Sequence, residues 1–526
     1  MPDDDAASDS PIQAAAGRPR QKRRWRRIAG AFALIVIGLA AIVGRPLFHV
    51  ISTAWHDVPD LEPIPAGFAD DASRMNRTKV AEVVAVEQDP AAAERQLAGL
   101  LERARAEGLC VSIAGTRHSM GGHTIYPGGL VIDMLPFRHM ELDAERDILH
   151  VQAGARWSEV IPYLDRRRRS VAVMQSDNTF SVGGSLSVNC HGWQFGRPPI
   201  ASTVESFRLM KADGQIVRCS REENRELFSL VLGGYGLFGI ILDVDLKVVP
   251  NERYRLEQFI VPVDDALATF EAQVGQKPDV AMVYARMSIV PKNFLDEVIL
   301  NVLCRDPSAD GLTPDLAEPE LVALRRSLFR GSVGSEYGKE LRWNAEARLQ
   351  PHLSGRHFSR NQLLNEGSDI FQNRTTESTD ILHEYFVPPK NVERFVLDVR
   401  NIIPRHGGNL LNVTVRGIET DDDTFLRYAD QRMFSFVMLF NQPRTQEADA
   451  RMEAMTQELI ESALAAGGRY YLPYRLHATP EQFQRAYPRA REFFALKRKY
   501  DPEEVFQNQF YLKYNVPERP PSLEAN

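Results

Sequence analysis

Three short glycine-bearing segments, each beside a strand-like run, constrain this chain more than any bulk property does. They read GTRHSMGG at residues 115–122, SVGGSLSVNCHG at 181–192 and LGGYGLFGI at 232–240. Glycine lets a backbone turn with positive φ and approach a ligand closely. Successive exposed N–H groups in such turns form a concavity suited to an anion such as a pyrophosphate. The first segment is not a G-x-G-x-x-G opening a helix, and it lacks the Lys-Ser/Thr pair of a phosphate loop, so neither of those fingerprints fits. Each segment taken singly also reads as a tight turn in a β-rich core; it is three of them in one domain-sized stretch that asks for a common ligand.

The surroundings read as α+β. Lys79–Val86 alternates apolar and polar residues and predicts a strand. Pro90–Glu107 has helical periodicity with Gly108 as its stop, and Leu109–Ala114 follows as a second strand. Val131–Met134, Ile148–Ala153, Val171–Val173, Thr203–Lys211 and Gln215–Arg218 are strand-like, the last two joined at Asp213–Gly214. Ser158–Arg166 reads as a helix, and Phe238–Val249 alternates until Pro250 stops it. Beyond Pro250 the pattern predicts strands at Val280–Ile289, Glu297–Cys304, Leu410–Gly417 and Ser435–Asn441, and helices at 264–275, 391–403, 447–466 and 480–496. Residues 306–379 lack clear periodicity and read as long loops or an insertion.

A chain of 526 residues is too long for one ordinary core. Its net charge of −7 argues against a general nucleic-acid binder. Cys110, Cys190, Cys219 and Cys304 form no C-x-x-C pair and have no histidine cluster beside them, so no metal centre is expected, while one disulfide stays open.

The N-terminus reads as a targeting segment. Seven of the ten residues in RPRQKRRWRR (18–27) are Arg or Lys, and residues 28–44 carry no charge. At about 1.5 Å per residue that run approaches the thickness of a bilayer. The basic flank predicts a cytoplasmic tail over 1–27, an uncleaved anchor over 28–50 and a body on the non-cytoplasmic side, a cleaved signal peptide being the rival. Residues 51–77, rich in Pro and acid from Asp57 to Asp71, read as a linker.

Together, in this order, GTRHS, SVGGSLSVNCHG and GGYGLFGI resemble the vanillyl-alcohol-oxidase family of PCMH-type FAD-binding oxidoreductases, and most of all its aldonolactone and alditol oxidase branch. Val204–Gly214 and the late KYDPEEVFQN (499–508) add to the likeness. The resemblance implies a two-part FAD-binding domain over 78–250, a mixed-sheet substrate or cap domain over 251–490, and a C-terminal segment (491–526) returning to the FAD domain. It implies a covalent bond from His118 to the flavin. The other implied FAD contacts are Gly115, Thr116, Arg117, Ser119, Gly184, Ser187, His191, Gly192 and Ile240.

On the substrate side the branch carries E-x-R on a strand. Here Thr414-Val415-Arg416 stands at that place, so Arg416 matches and Thr414 replaces the carboxylate. Arginine suits negative charge near a flavin. Tyr474 and His477, in RYYLPYRLH (469–477), are the remaining catalytic candidates, with Lys497 and Lys499 as further pocket candidates. The resemblance implies transfer of hydride from a CH–OH group of a sugar, polyol or lactone to FAD, with oxygen or a membrane quinone or cytochrome as acceptor. A lipid-linked sugar or C=C substrate, and a noncatalytic flavin-binding role, are the alternatives.

Overall fold

The computed structural model describes residues 25–32, 43–58, 60–275, 277–306, 315–319, 321–349 and 357–515. The chain divides into two units, Met1–Trp55 and His56–Asn526. In the first, the helix that begins at Arg45 and runs to His56 buries none of its residues. The centre of the expected anchor, residues 33–42, lies outside the described residues. No helix among the described residues is long and apolar enough to cross a membrane.

After a short antiparallel pair, Phe68–Ala69 with Thr78–Lys79, the second unit forms a small parallel sheet in the order Glu82–Ala85, Leu130–Asp133, Val111–Ala114. The helix Pro90–Glu107 carries the chain from one outer strand, Glu82–Ala85, to the other, Val111–Ala114, so that both run parallel to the strand between them. Its ends carry their own signals. Asp89 accepts the Ala92 N–H at 2.8 Å, Pro90 stands at the first position where no N–H is needed, and Gly108 takes φ 67° past the end. Ala93, Leu97, Leu101 and Ala104 form its buried stripe; Leu→Ala at such a position costs roughly 2–5 kcal/mol.

A second, antiparallel sheet follows, in the order Ile216–Ser220, Val204–Met210, Ile240–Pro250, Ile148–Gln152, Met140–Asp143. The third sheet has eight strands: His357–Ser359, Arg253–Pro262, Glu297–Arg305, Val280–Met287, Asn409–Ile418, Met433–Pro443, Ser378–Val387 and Arg469–Tyr470. Its strand pairs are antiparallel throughout, so the mixed sheet expected for the cap is corrected. The helices Val392–Arg405 and Gln446–Ala465 each join two strands that run the same way one place apart, and an oppositely directed strand lies between them, so neighbours in the sheet alternate in direction.

Two further expectations change. The helix read over 480–496 is two, Pro480–Ala486 and Ala490–Tyr500, because Pro488 cannot continue the first. The stretch read as loops within 306–379 contains the helices Val322–Arg330 and Glu336–Leu349. Arg326 anchors the first of these, pairing with Asp57 and donating to the carbonyls of Asp369 and Gln372 at 2.7 and 2.8 Å. The four cysteines are all unpaired.

The C-terminal run comes back to the first sheet. The Val111 N–H donates to the Val505 carbonyl at 2.7 Å, and the Gln507 N–H donates to the Val111 carbonyl at 3.0 Å.

Candidate functional site

The three glycine-bearing segments are stitched to one another. The Ser181 N–H donates to Thr116 Oγ1 at 3.2 Å, joining the second to the first. The N–H groups of Gly233 and Tyr235 donate to the carbonyls of Leu186 and Ser187 at 3.0 and 2.9 Å, joining the third to the second. Gly115 is packed close against the second segment: a Cβ there would lie 2.1 Å from Ser181 Oγ, so that hydroxyl would have to turn away. Gly239, at φ 145°, likewise sets its Cα against the Met210 carbonyl, which a Cβ would meet at 2.6 Å.

Residues 70–76, read from sequence as the end of a linker, instead brace the first segment. The buried Asp71 carboxylate accepts the Gly122 N–H at 2.8 Å, the Ser73 hydroxyl at 2.6 Å and Asn76 Nδ2 at 2.7 Å. Asn76 also donates to the Met120 carbonyl at 2.9 Å, and the Ala72 N–H to that of Arg117 at 3.0 Å. From the other side Asn508 Nδ2 bonds the carbonyls of His123 and Tyr235, each at 2.9 Å.

Between the two FAD-type sheets and the face of the eight-stranded sheet lies a cavity of about 1280 Å³. That exceeds the roughly 300–1,000 Å³ of ordinary small-molecule pockets and suits a dinucleotide with a substrate. Gly115, Thr116, Arg117, His118, Ser119, Gly184, Ser187 and His191 line it. Gly192 and Ile240 do not. Gly192 is packed so close to the Met174 carbonyl that a Cβ would lie 2.0 Å away, and Ile240 is a fully buried strand residue paired with Met210. The Ser119 hydroxyl, His191 Nδ1 and the Trp193 indole N–H are buried polar groups with no partner among the described residues, all on cavity-lining residues. Such groups call for a ligand. With the closely approached glycine backbone, they fit FAD.

His118 stacks on Phe180, ring centroids 4.0 Å apart and planes within 8°. Its Nε2 lies 3.0 Å from Thr179 Oγ1, and burial lowers its pKa below the usual imidazole value. The nearby His123 is enclosed by Tyr235 and Phe510 and falls to about 3 through burial.

The opposite wall is one face of the eight-stranded sheet. Side chains two apart on a strand share a face, so Thr414 and Arg416 both look into the cavity. Arg416 donates to Ser176 Oγ at 3.0 Å and to the His191 carbonyl at 3.3 Å, while its Nε has no partner among the described residues. Tyr474 lines the cavity too. His477 does not: its ring is turned away, Nδ1 3.0 Å from Thr456 Oγ1 and Nε2 3.4 Å from Asp449 on the helix Gln446–Ala465. Lys497 is buried in an ion pair with Asp501, and Lys499 pairs with Glu226 at the surface.

The carboxylate missing from position 414 is present on another strand. Glu384 lies in register with Val437, which in turn lies in register with Thr414. Its carboxylate is 2.6 Å from His191 Nε2 and accepts from Ser435 Oγ at 2.5 Å and from Tyr474 OH at 3.2 Å. Burial pushes the carboxyl up, but His191, Ser435 and Arg416 outweigh it, and its pKa lies below the usual range. The signal in sequence was a lone acid inside the apolar strand ILHEYFV, which a buried strand keeps only when the charge is partnered. Its neighbour His383 points to the other face, against Tyr385 and Thr456, with its pKa near 3 through burial.

Comparison with known proteins gives two family matches: an FAD binding domain over residues 91–220 and D-arabinono-1,4-lactone oxidase over 342–514. Mouse L-gulonolactone oxidase is 20% identical over 425 residues, covering 79% of this chain and 91% of that one. Cytokinin dehydrogenase 2 of Arabidopsis thaliana is 32% identical over 40% of this chain and 41% of its own. An uncharacterized oxidoreductase from the fasciation locus of Rhodococcoides fascians is 32% identical over 27% of this chain and 33% of its own. The matched stretch thus spans less than half of the last two relatives. Two family models in the expected order, over a cavity that fits the cofactor, place this chain in the PCMH-type, FAD-dependent oxidoreductases of the aldonolactone oxidase family.

Proposed function

We propose that the protein oxidises a CH–OH group of a sugar lactone or related sugar. The reading rests on Glu384, His191 and Arg416 gathered on the wall of the cavity that the FAD segments line. Bound FAD supplies a two-electron hydride acceptor. The chain's own residues manage the proton. Glu384 holds His191 by Nε2, which leaves Nδ1, buried and without a partner among the described residues, as the atom that takes the hydroxyl proton. Glu384 then stabilises the cation, as a carboxylate does behind any catalytic imidazole. Arg416 holds negative charge developing on the oxygen side. Tyr474, donating to Glu384, fixes the carboxylate's second oxygen.

The names of the relatives, L-gulonolactone oxidase and D-arabinono-1,4-lactone oxidase, support a lactone of this kind. The experiment is anaerobic mixing of the flavin-loaded protein with a panel of aldonolactones, alditols and prenyl-phosphosugars while following flavin absorbance. Bleaching by lactones supports the reading; bleaching by none of the panel rejects it. Oxygen uptake with the bleaching substrate then separates oxidase from dehydrogenase. A covalent flavin bond at His118 belongs to the same proposal. So does tethering through residues 28–50 with the body on the non-cytoplasmic side, supported by the basic run before them; recovery of the full chain in carbonate-washed membranes is the expected result.

A further inference from the structure

His118 does not stand alone. Its Nε2 is 3.0 Å from Thr179 Oγ1, and the Thr179 hydroxyl donates to Asp177 Oδ1 at 2.6 Å. The Thr179 N–H donates to the same oxygen at 2.8 Å. A threonine hydroxyl that gives its hydrogen to a carboxylate can only accept from the imidazole. The proton of His118 is therefore on Nε2. Nδ1 is left as a lone-pair nitrogen with no hydrogen-bond partner among the described residues, on a ring that lines the cavity. The stack on Phe180 fixes the plane of that ring. Asp177 lines the cavity as well, and nothing in the proposed oxidation of substrate uses it.

From this geometry we infer that Asp177 and Thr179 form a proton relay that drives attachment of the flavin to His118 through Nδ1. The inference rests on the covalent bond proposed above and goes beyond it by naming the residues that make it form. In the reaction a C–H bond of the flavin 8α-methyl group breaks and its proton leaves to solvent. The Nδ1 lone pair forms the N–C bond, and the ring system takes up the electron pair. As the imidazole gains positive character, its Nε2 proton passes to Thr179 Oγ1 while the threonine's own proton passes to Asp177 Oδ1. Dioxygen then reoxidises the two-electron-reduced ring and leaves as hydrogen peroxide. The sum is imidazole N–H plus flavin methyl plus dioxygen, giving the N–CH₂ link plus hydrogen peroxide.

The surroundings suit both ends of the relay. Burial keeps His118 below the usual imidazole pKa, so the ring enters neutral and nucleophilic even though Asp177 pulls the other way. Burial raises Asp177 above the usual carboxylate range against the pull of His118 and Thr179, which makes it a better proton acceptor than an exposed aspartate. Thr179 touches His118, and Asp177 reaches it through Thr179; neither touches the bond that forms, so they are positioning and proton-transfer residues.

The test follows attachment and not turnover. The full chain, expressed under riboflavin limitation, is given FAD in air. Flavin that stays with acid-precipitated protein is measured against time, and total bound flavin is measured before precipitation. The wild-type protein should become acid-stable and release peroxide in step. Asp177→Asn and Thr179→Val should bind FAD but attach it on the order of 10²- to 10⁴-fold more slowly, the usual worth of a positioned base. Thr179→Ser, which keeps the hydroxyl, should attach it within a few-fold of wild type. Attachment at the wild-type rate in Thr179→Val overturns the relay. If Asp177→Asn does not fold, the Val and Ser variants at 179 decide alone. Wild-type protein that binds FAD and releases all of it in acid also overturns the inference. It leaves the proposed oxidation standing, because substrate bleaching tests that separately.

Discussion

Replacing Glu384 by Gln isolates the feature on which the proposed chemistry turns. The amide keeps the size of the side chain and one acceptor oxygen; Ser435 and Tyr474 donate to different oxygens of Glu384, so one keeps its acceptor and the other hydroxyl turns to accept from the amide NH₂. What is lost is the charge that faces His191 Nε2 at 2.6 Å and the fixed choice of ring tautomer. An amide can offer Nε2 either a donor or an acceptor, and the amide donor would turn the imidazole proton onto Nδ1, where it blocks acceptance of the hydroxyl proton. A correctly held base contributes about 10²–10⁴-fold to rate, or roughly 2.7–5.4 kcal/mol of barrier at ~1.36 kcal/mol per decade. The assay is stopped-flow flavin reduction under anaerobic conditions, with the lactone that bleaches the wild-type protein best. The limiting reduction rate should fall by that factor, the half-saturating substrate concentration should move little, and bound FAD should stay at the wild-type amount. A reduction rate within threefold of wild type, with full FAD, refutes the role given to Glu384.

Other outcomes follow from the same contacts. Gly115→Ala should keep the fold and lower the FAD content, because a Cβ would stand 2.1 Å from Ser181 Oγ and turn that hydroxyl out of place; flavin content against circular dichroism checks it. His477→Ala should leave the flavin reduction rate within about twofold and lower the melting temperature, since the ring braces Thr456 and Asp449 outside the cavity. Asp449→Asn should lose acid-dependent stability. Burial pushes that carboxyl up, but His477 and Arg475 hold it down from 3.8 to about 2. A depressed carboxylate stabilises above its unfolded pKa, so the wild type should be favoured by roughly 2 kcal/mol at pH 6. The difference should vanish as pH falls from about 4 to about 2, read by denaturant midpoints at each pH.

The local grammar of the first half was largely legible. Asp89, Pro90 and Gly108 bound their helix as written, and the three glycine segments meet around one cavity. What escaped was long-range pairing. Thr414 looked like the loss of a carboxylate because a strand read alone shows only its own residues. Glu384, thirty positions earlier, reaches the same face through strand register, which no local pattern encodes. His477 failed in the opposite way: it sits three residues from Tyr474, and the chain between them turns it toward a helix. Residues 70–76 resembled a tether because a buried acid and a linker acid look alike until the N–H groups they bind are known. The helices Val322–Arg330 and Glu336–Leu349 carry enough charge to blur their periodicity; buried Arg342, donating to the Leu411 carbonyl at 2.8 Å, shows why those charges tolerate an interior.

The return of the C-terminal run to Val111 has a bearing on biogenesis. Asn508 clips the first and third glycine turns together, and it is among the last of the described residues to leave the ribosome. A nascent chain that already displays GTRHS, SVGGSLSVNCHG and GGYGLFGI still lacks the clasp that sets their spacing. The clasp can close only once residue 508 has been made and has folded back onto these turns. A product that stops short of residue 505 would carry every glycine segment but lack the two Asn508 bonds that hold the first and third together.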